Sequence, residues 1–348
     1  MEIAHLPGPT GVTGQKLALI AGGGGFIGGH LARTLSERGV QVRSVDIKPF
    51  DDWYQIPEGV EAHQLDLSEL ENCREAMRGI DTVYNLAADM GGMGFIETHK
   101  AECMLSVLIN THMLMAARDE NVGRFFYSSS ACVYAADKQV DADVAALKES
   151  DAYPAMPEDG YGWEKLFSER MCRHFREDFG VETRVARYHN VYGVEGTYDG
   201  GREKAPAALC RKIALAAITG RHEIEVWGDG EQTRSFMYVD DCIEGTLRVT
   251  AGDSALPVNV GSCELVSINQ MVDIIEKIAG ITVERHYNLD APKGVRGRNS
   301  DNTLIREIYD WEPSISLADG LEKTYHWIFD QLSGSERTSD RTARRAAV

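Results

Sequence analysis

Tyr161 and Lys165 stand four residues apart at the start of a strongly helical run, Tyr161-Gly162-Trp163-Glu164-Lys165. On a helix that spacing puts both side chains on one face, one turn apart. A lysine ammonium beside a phenol favours the phenolate. A tyrosine prepared in this way can take a proton from a substrate hydroxyl near neutral pH. Alone, the pair is a weak signal, because helices carry it by chance. Ser128-Ser129-Ser130 strengthens it. These serines follow the apolar strand Phe125–Tyr127, and residues at a strand's C-terminal end face the ligand crevice of an open α/β sheet. Ser130 could orient the reacting hydroxyl beside Tyr161. Cys132 lies two residues on. An isolated cysteine is more often a small buried hydrophobe than a catalyst, but its place beside Ser130 makes this one a functional candidate.

A nucleotide loop near the start fits the same chemistry. The apolar strand Leu17–Ala21 runs into Gly22-Gly23-Gly24-Gly25-Phe26-Ile27-Gly28, and the helix His30–Arg38 follows. Gly22, Gly25 and Gly28 have the G-x-x-G-x-x-G spacing. It lets the backbone turn sharply and approach a pyrophosphate, which rests on the helix N-terminus. With Phe26 and Ile27 between them, they are the expected cofactor contacts. The next strand, Gln41–Val45, ends at Asp46. A carboxylate there accepts hydrogen bonds from ribose hydroxyls and repels a 2′-phosphate, which favours NAD over NADP. Asp66, after the strand Ala62–Leu65, fits either a place near the adenine or a helix N-cap. Thr82–Leu86 ends in Ala87-Ala88, small enough for a cofactor to lie against the backbone. The glycine and methionine loop Asp89–Phe95, with Gly91 and Met93, reads either as a flexible turn or as a loop against a sugar.

Strands alternating with helices as far as residue 193 predict an α/β fold with a doubly wound parallel sheet of Rossmann type. Its helices include 98–120, in which Asn110 is a structural hydrogen-bonder, and 161–179, with Leu166, Phe167, Met171 and Phe175 as core face. From about residue 194 the texture changes. Gly200–Pro206 is a polar loop opening the helix Ala207–Ala217, and Trp227–Phe236 and Val295–Asp301 are turns with cationic ends. We therefore expect a loose leader over 1–15, an NAD-binding domain over 16–193 with parts of 235–262, a smaller substrate-binding lobe mainly over 194–332, and a disordered tail over 333–348. Arginines of that lobe could hold a diphosphate.

Composition narrows the class. A chain of 348 residues with 43% hydrophobic content supports one large domain or two lobes sharing a cleft. The net charge of −18 argues against a phosphate-backbone binder, and no run is apolar enough to span a membrane. The N-terminus lacks the features of a signal peptide. Seven scattered cysteines imply reduced thiols and a cytoplasmic location. Without a C-x-x-C pair, no structural metal site is expected.

The glycine loop, Asp46, Ser130 and Tyr161/Lys165 together resemble the extended short-chain dehydrogenase/reductase family. Longer blocks narrow this: Asn85–Phe95, Ser129–Tyr134, Gly200–Ala208, Trp227–Gly230, Gln232–Phe236 and Gly294–Asn302 resemble the GDP-mannose 3,5-epimerase family over roughly residues 16–330. The resemblance implies that Tyr161, with Lys165 and Ser130, removes the C4 hydroxyl proton while NAD takes the hydride. The C4 ketone then acidifies the hydrogens at C3 and C5, and Cys132 and Lys204 exchange protons on opposite faces of the ring. It also implies that Gly91, Met93, Asn190, Lys212, Gln232, Arg296 and Arg298 contact the nucleotide sugar, and that the protein is a homodimer paired through the helices 98–120 and 161–179. This chain departs from the family at Ala135, where a proline is usual, and over 136–148 and 213–225, which could reshape the sugar pocket. The implied products are GDP-L-galactose or GDP-L-gulose. A 4,6-dehydratase would carry an Asp-Glu pair where Ala131-Cys132 stands, which argues against dehydration. A C4 epimerase leaves Cys132 and Lys204 unexplained and is the first alternative. A nucleotide sensor without catalysis predicts a broken Tyr/Lys/Ser set, and all three residues are present.

Overall fold

The computed structural model describes residues 17–292 and 294–346, so the leader expected over 1–15 lies outside the described residues. In chain order the first half runs β1 (Leu17–Ala21), α1 (Phe26–Glu37), β2 (Gln41–Asp46), β3 (Glu61–Gln64), α2 (Leu70–Met77), β4 (Thr82–Asn85), α3 (Met93–Thr98), α4 (Lys100–Asp119), β5 (Arg124–Ser130), α5 (Tyr161–Phe179) and β6 (Thr183–Tyr188). The second half runs β7 (Val191–Tyr192), α6 (Ala205–Thr219), β8 (Glu223–Trp227), β9 (Thr233–Ser235), β10 (Met237–Tyr238), α7 (Val239–Ala251), β11 (Val258–Val260), β12 (Leu265–Ser267), α8 (Ile268–Ala279), β13 (Glu284–Asn288), β14 (Gly297–Arg298), α9 (Thr303–Tyr309) and α10 (Leu317–Ala346).

Seven parallel strands form one sheet in the order β11-β6-β5-β4-β1-β2-β3. The strand order reverses between β1 and β4, which opens a crevice beyond their carboxyl ends. Strands buried on both faces need continuous apolar runs, and Leu17-Ala18-Leu19-Ile20-Ala21 is one, buried from Ala18 onward. The later strand β11 completes the sheet beside β6, with α7 packed on α1. The remaining second half, with the ribbons β12-β9-β14 and β13-β8 and the helices α6, α8 and α10, shares one continuous core with the sheet, in which Leu209, Ile213, Ile224, Met271, Ile275, Leu321 and Ile328 join Ala18, Ile20 and Phe126.

Several local expectations change. The helix after the glycine loop starts at Phe26, directly after Gly25, rather than at His30. The helix expected over 98–120 runs over Lys100–Asp119, and a short helix that Met93 opens ends just before it, which shortens the glycine and methionine loop. Helix α6 starts two residues before Ala207, with Pro206 in its first turn, where a missing N–H costs nothing. Phe167 does not belong to the core face of α5: it is 51% exposed, whereas Glu164, Ser168 and Glu169 are buried. The tail after Leu332, expected to be disordered, continues α10 to Ala346. No proline follows, and alanine, arginine and glutamate favour helix.

The buried polar side chains of α5 join a network behind the sheet. Glu169 accepts two bonds from Arg187 (2.8 and 2.7 Å) and one from Ser129 at 2.5 Å. Arg187 also reaches the Tyr134 hydroxyl at 3.4 Å, and Tyr134 donates to Asn259 Oδ1. His189 Nε2 donates to the same oxygen at 2.9 Å, which leaves its buried Nδ1 without a partner. Burial pushes the His189 imidazole down to about 3, Asn259 opposes, and Arg298 and Arg187 add to the fall.

Two predictions follow from this packing. A Cβ on Gly28 would lie 2.1 Å from the Gly22 carbonyl oxygen, so Gly28→Ala must push α1 off the turn. It should cost about 1–3 kcal/mol, read as a lower urea midpoint, together with loss of nucleotide binding. His189 has a folded pKa below its unfolded value, so its contribution is present above the unfolded pKa and is lost as pH falls through about 6.5 toward about 3. Lowering pH from 8 to 5 should remove about 2 kcal/mol in the parent through this group. His189→Gln should lose less over the same interval in urea titrations.

Candidate active site

The turn after β1 is built for close backbone approach. Gly22 has φ +84°, and a Cβ there would touch the Ala87 nitrogen at 3.0 Å. The glycine turn thus lies against Ala87, the first residue of the pair beyond β4. Gly25 precedes α1 with no side chain over the first turn, so the helix N–H groups are open to an anion. Phe26 and Ile27 contribute only backbone toward that turn. Their side chains pack on the core, Phe26 edge-on to His30 at 5.5 Å. Asp46 closes β2, and one carboxylate oxygen holds the Lys48 N–H at 3.1 Å. Ala88 follows Ala87 at the same rim and is partly buried. These features fit a dinucleotide. Asp66 is occupied locally: it accepts the Ser68 N–H at 2.8 Å in the turn before α2, whose N-cap is Glu69.

The carboxyl end of β5 carries the reactive side chains. The Ser130 hydroxyl accepts the Cys132 N–H at 3.2 Å as the chain tightens into the 3-10 turn Ala131–Val133. Tyr161, the first residue of α5, is buried with Cys132, Phe95, Ile96 and Cys103 in one apolar cluster edged by Met90 and Met93. The Lys165 ammonium donates to the Ser128 carbonyl at 3.1 Å. It lies 3.8 Å from a Glu164 oxygen, 4.8 Å from the Tyr127 ring centre and 5.5 Å from that of Tyr161. Burial raises the Tyr161 hydroxyl well above the usual tyrosine range; Cys132 and Glu164 add to this, and Ser130 opposes. Lys165 bonds the Ser128 carbonyl and lies beside Glu164.

Burial likewise pushes the Cys132 thiol up to about 11; Glu158 adds to the rise, while Arg298 and Ser130 oppose it. Lys204, at the N-cap of α6, moves the other way: burial lowers its ammonium against the opposing pull of Cys132. The thiol and the amine are thus each shifted toward their neutral forms.

The side chains expected to meet the sugar nucleotide divide into two groups. Near the Tyr161 cluster, the loop through Gly91 is tied to the second half where Gly92 N–H donates to the Arg202 carbonyl at 3.0 Å. Met93 packs under Gly294. Asn190, with φ +43°, donates to the Ser235 carbonyl at 2.9 Å. Gln232 donates to the Trp227 carbonyl at 2.8 Å, and its buried Oε1 has no partner. The other side chains are engaged elsewhere. Lys212 donates to the Glu225 carbonyl at 2.7 Å, and Arg296 grips both oxygens of Asp229 at 2.9 Å. Arg298 is buried beside Cys132, with its donors on Gln139, Glu158 and the thiol sulfur. Sequence reasoning missed Glu158 and Gln139, which no motif spacing marks. It also missed Arg202, which pairs with Asp89 at 2.6 Å and covers the Phe95 ring at 3.8 Å.

Residues 18–261 match the model of the NAD dependent epimerase/dehydratase family. The GDP-mannose 3,5-epimerase 1 of Oryza sativa subsp. japonica is 50% identical over 320 residues, 91% of this chain and 83% of that protein. The GDP-mannose 3,5-epimerase of Arabidopsis thaliana is 48% identical over 314 residues, 90% and 82% of the two chains. Among solved structures, the UDP-glucose 4-epimerase of Thermotoga maritima superposes with a TM-score of 0.82 at 24% identity, covering 91% of this chain and 99% of that one. With the seven-stranded sheet, the glycine turn and the Tyr161–Ser130 pair in place, this chain belongs to the NAD dependent epimerase/dehydratase family.

Proposed function

We propose that this protein is a nucleotide-sugar epimerase that inverts C5, C3 or both in GDP-mannose through a transient C4 ketone. The observation that carries this reading is the buried Cys132 thiol packed with Tyr161 beside Ser130, with the half-buried Lys204 ammonium close enough to feel it. The relatives named GDP-mannose 3,5-epimerase supply the choice of sugar. The cofactor is NAD, and Gly22, Gly25, Gly28, Asp46, Ala87 and Ala88 would hold it. Bound in its oxidised form, NAD supplies a positively charged ring and a reversible acceptor for the C4 hydrogen.

The protein's own part is positioning and proton transfer. Ser130 orients the C4 hydroxyl, and Tyr161, ionised first beside Lys165 and the positive charge that bound NAD would supply, accepts its proton as the phenolate. Lys165 stays beneath them on the Ser128 carbonyl and keeps a positive charge near the phenol as it ionises. Once C4 is a ketone, a proton removed from C3 or C5 leaves an enolate. Inversion then needs a proton taken from one face and another delivered to the opposite face, which one side chain cannot do. Cys132 and Lys204 fill these two places, and their shared drift toward neutrality suits both roles: an amine can accept a proton and a thiol can donate one near pH 7. We assign residues 194–332 mainly as the substrate lobe, with Gln232, whose Oε1 has no partner, and Asn190, just before the lobe, as substrate contacts. A C4 epimerase would not use the thiol and amine.

The reaction is read by proton NMR of GDP-mannose in deuterated water. Deuterium should enter at C5, with or without C3. Cys132→Ala and Lys204→Met should each slow this exchange by about 100-fold or more while NAD stays bound. Normal epimerisation by Cys132→Ala would sink the scheme, and inversion at C4 without deuterium uptake would establish the C4 epimerase.

Two further assignments stand on the surface and the thiols. Helices α4 and α5 pack side by side and leave Met104, Leu105, Leu108, Trp163 and Phe167 exposed on one face. Large exposed apolar patches mark association sites, and a homodimer through this face is our reading. Sedimentation velocity should find a dimer in the parent and a monomer in Leu105→Glu/Phe167→Glu; an unchanged dimer would place the interface elsewhere. Among the described residues no helix is long and apolar enough to cross a membrane. The seven unpaired cysteines favour a cytoplasmic location.

A further inference from the structure

Glu158 and Gln139 have no part in the scheme above, yet both hold the group that touches Cys132. Arg298 comes from β14, in the second half of the chain, and is fully enclosed beside the β5 exit. Its Nη1 donates to Cys132 Sγ at 3.7 Å. Its Nε donates to Gln139 Oε1 at 2.6 Å, and its Nη2 donates to the Glu158 carboxylate. All three edges of the planar guanidinium are therefore occupied, which leaves it one orientation. Both anchors are themselves fixed. Gln139 Nε2 donates to the carbonyls of Tyr134 and Ala135 at 3.2 and 3.3 Å. The Glu158 N–H donates to the Cys132 carbonyl at 3.0 Å, and the thiol is within hydrogen-bonding reach of the Glu158 carboxylate.

The sulfur thus lies between two opposite charges that bind each other. The ionisable groups that face Cys132 are Glu158 from the loop before α5, Arg298 from β14, Tyr161 from α5, Lys204 from the start of α6 and Arg234 from β9. A carboxylate disfavours a thiolate and a guanidinium favours it. Burial disfavours it most, Glu158 comes next, and Arg298 pulls the other way. A rigid ion pair of this kind fixes the charge on the sulfur more firmly than a mobile one, because neither partner can swing away when the cleft fills.

We propose that Glu158 and Gln139 are positioning residues that lock Arg298 against Cys132, and that the Arg298–Glu158 pair sets the charge state in which Cys132 meets the sugar. The proposal rests on the reading of Cys132 as an acid/base group. It also removes Arg298 from the set of free diphosphate ligands.

The test reads the thiol and not turnover. The full-length NAD-bound protein is alkylated with iodoacetamide in short pulses across pH 7–12, and Cys132 modification is followed by peptide mass spectrometry. Glu158→Gln keeps the hydrogen-bond acceptor for Arg298 and removes the negative charge. Its alkylation midpoint should fall by about one pH unit, with a several-fold faster reaction at pH 8. Glu158→Asp restores the charge and should return the midpoint toward the parent value. Gln139→Leu frees one edge of Arg298 and should raise the midpoint. A midpoint that is unchanged or raised in Glu158→Gln overturns the proposal, as does a fall that Glu158→Asp reproduces in full. If Glu158→Gln does not fold, Gln139→Leu decides alone, and an unmoved midpoint there is equally fatal. Epimerisation by Cys132→Ala would defeat the acid/base reading while leaving these midpoints to judge the clamp.

Discussion

The site depends on one close contact: helix α5 must lie against the exit of strand β5. A Cβ on Gly162 would fall 2.4 Å from the Cys132 carbonyl oxygen, so only a residue without a side chain lets the two backbones meet. That approach brings Tyr161, from the first turn of α5, to Ser130 and Cys132. The contact is held from behind by Glu169, one turn past Lys165, and its bidentate pair with Arg187 on β6. A buried pair of this sort stabilises little in net terms, yet breaking one partner leaves an unpaired charge at a cost of about 3–5 kcal/mol. Its contribution here is orientation: it fixes the rotation of α5 about its axis, and with it the direction of the phenol.

Burial governs the chemistry of the groups so gathered. Tyr161, Cys132 and Lys204 are all moved toward their neutral forms, and in each case removal from water is the largest cause. Neighbours then adjust that common drift, the Ser130 hydroxyl for the phenol and the Glu158–Arg298 pair for the thiol. A reaction that shuttles protons without net redox change needs both a donor and an acceptor, and a dry pocket favours a thiol that carries its proton and an amine that lacks one.

The two halves of the chain meet in the same place. Arg298 crosses to Cys132, Arg202 crosses to Asp89 and Phe95, and Met93 packs under Gly294. Each link ties a β-strand exit of the large sheet to a loop of the second half. Beside the apolar core that the two halves share, charged and polarizable side chains tie them together at the site, and these groups are the ones that tune it.

The sequence alone determined the features that are local or periodic. Apolar strand runs, the glycine spacing and the Tyr161/Lys165 interval depend only on neighbouring residues, so the parallel sheet, the nucleotide turn and the start of α5 at Tyr161 were legible. The long blocks around Cys132 and Lys204 pointed to the reaction. Tertiary structure decided where each charge finds its partner. Arg298 bonds residues 166, 159 and 140 positions away, and nothing in its own neighbourhood announces them. For the same reason Lys165 found the Ser128 carbonyl, Arg296 closed on Asp229, and Phe167 faced outward while Glu169 went in. Hydrophobic pattern ranks residues by their own chemistry, but a buried carboxylate with a guanidinium waiting for it is stable against that ranking. Only the folded chain brings the two together.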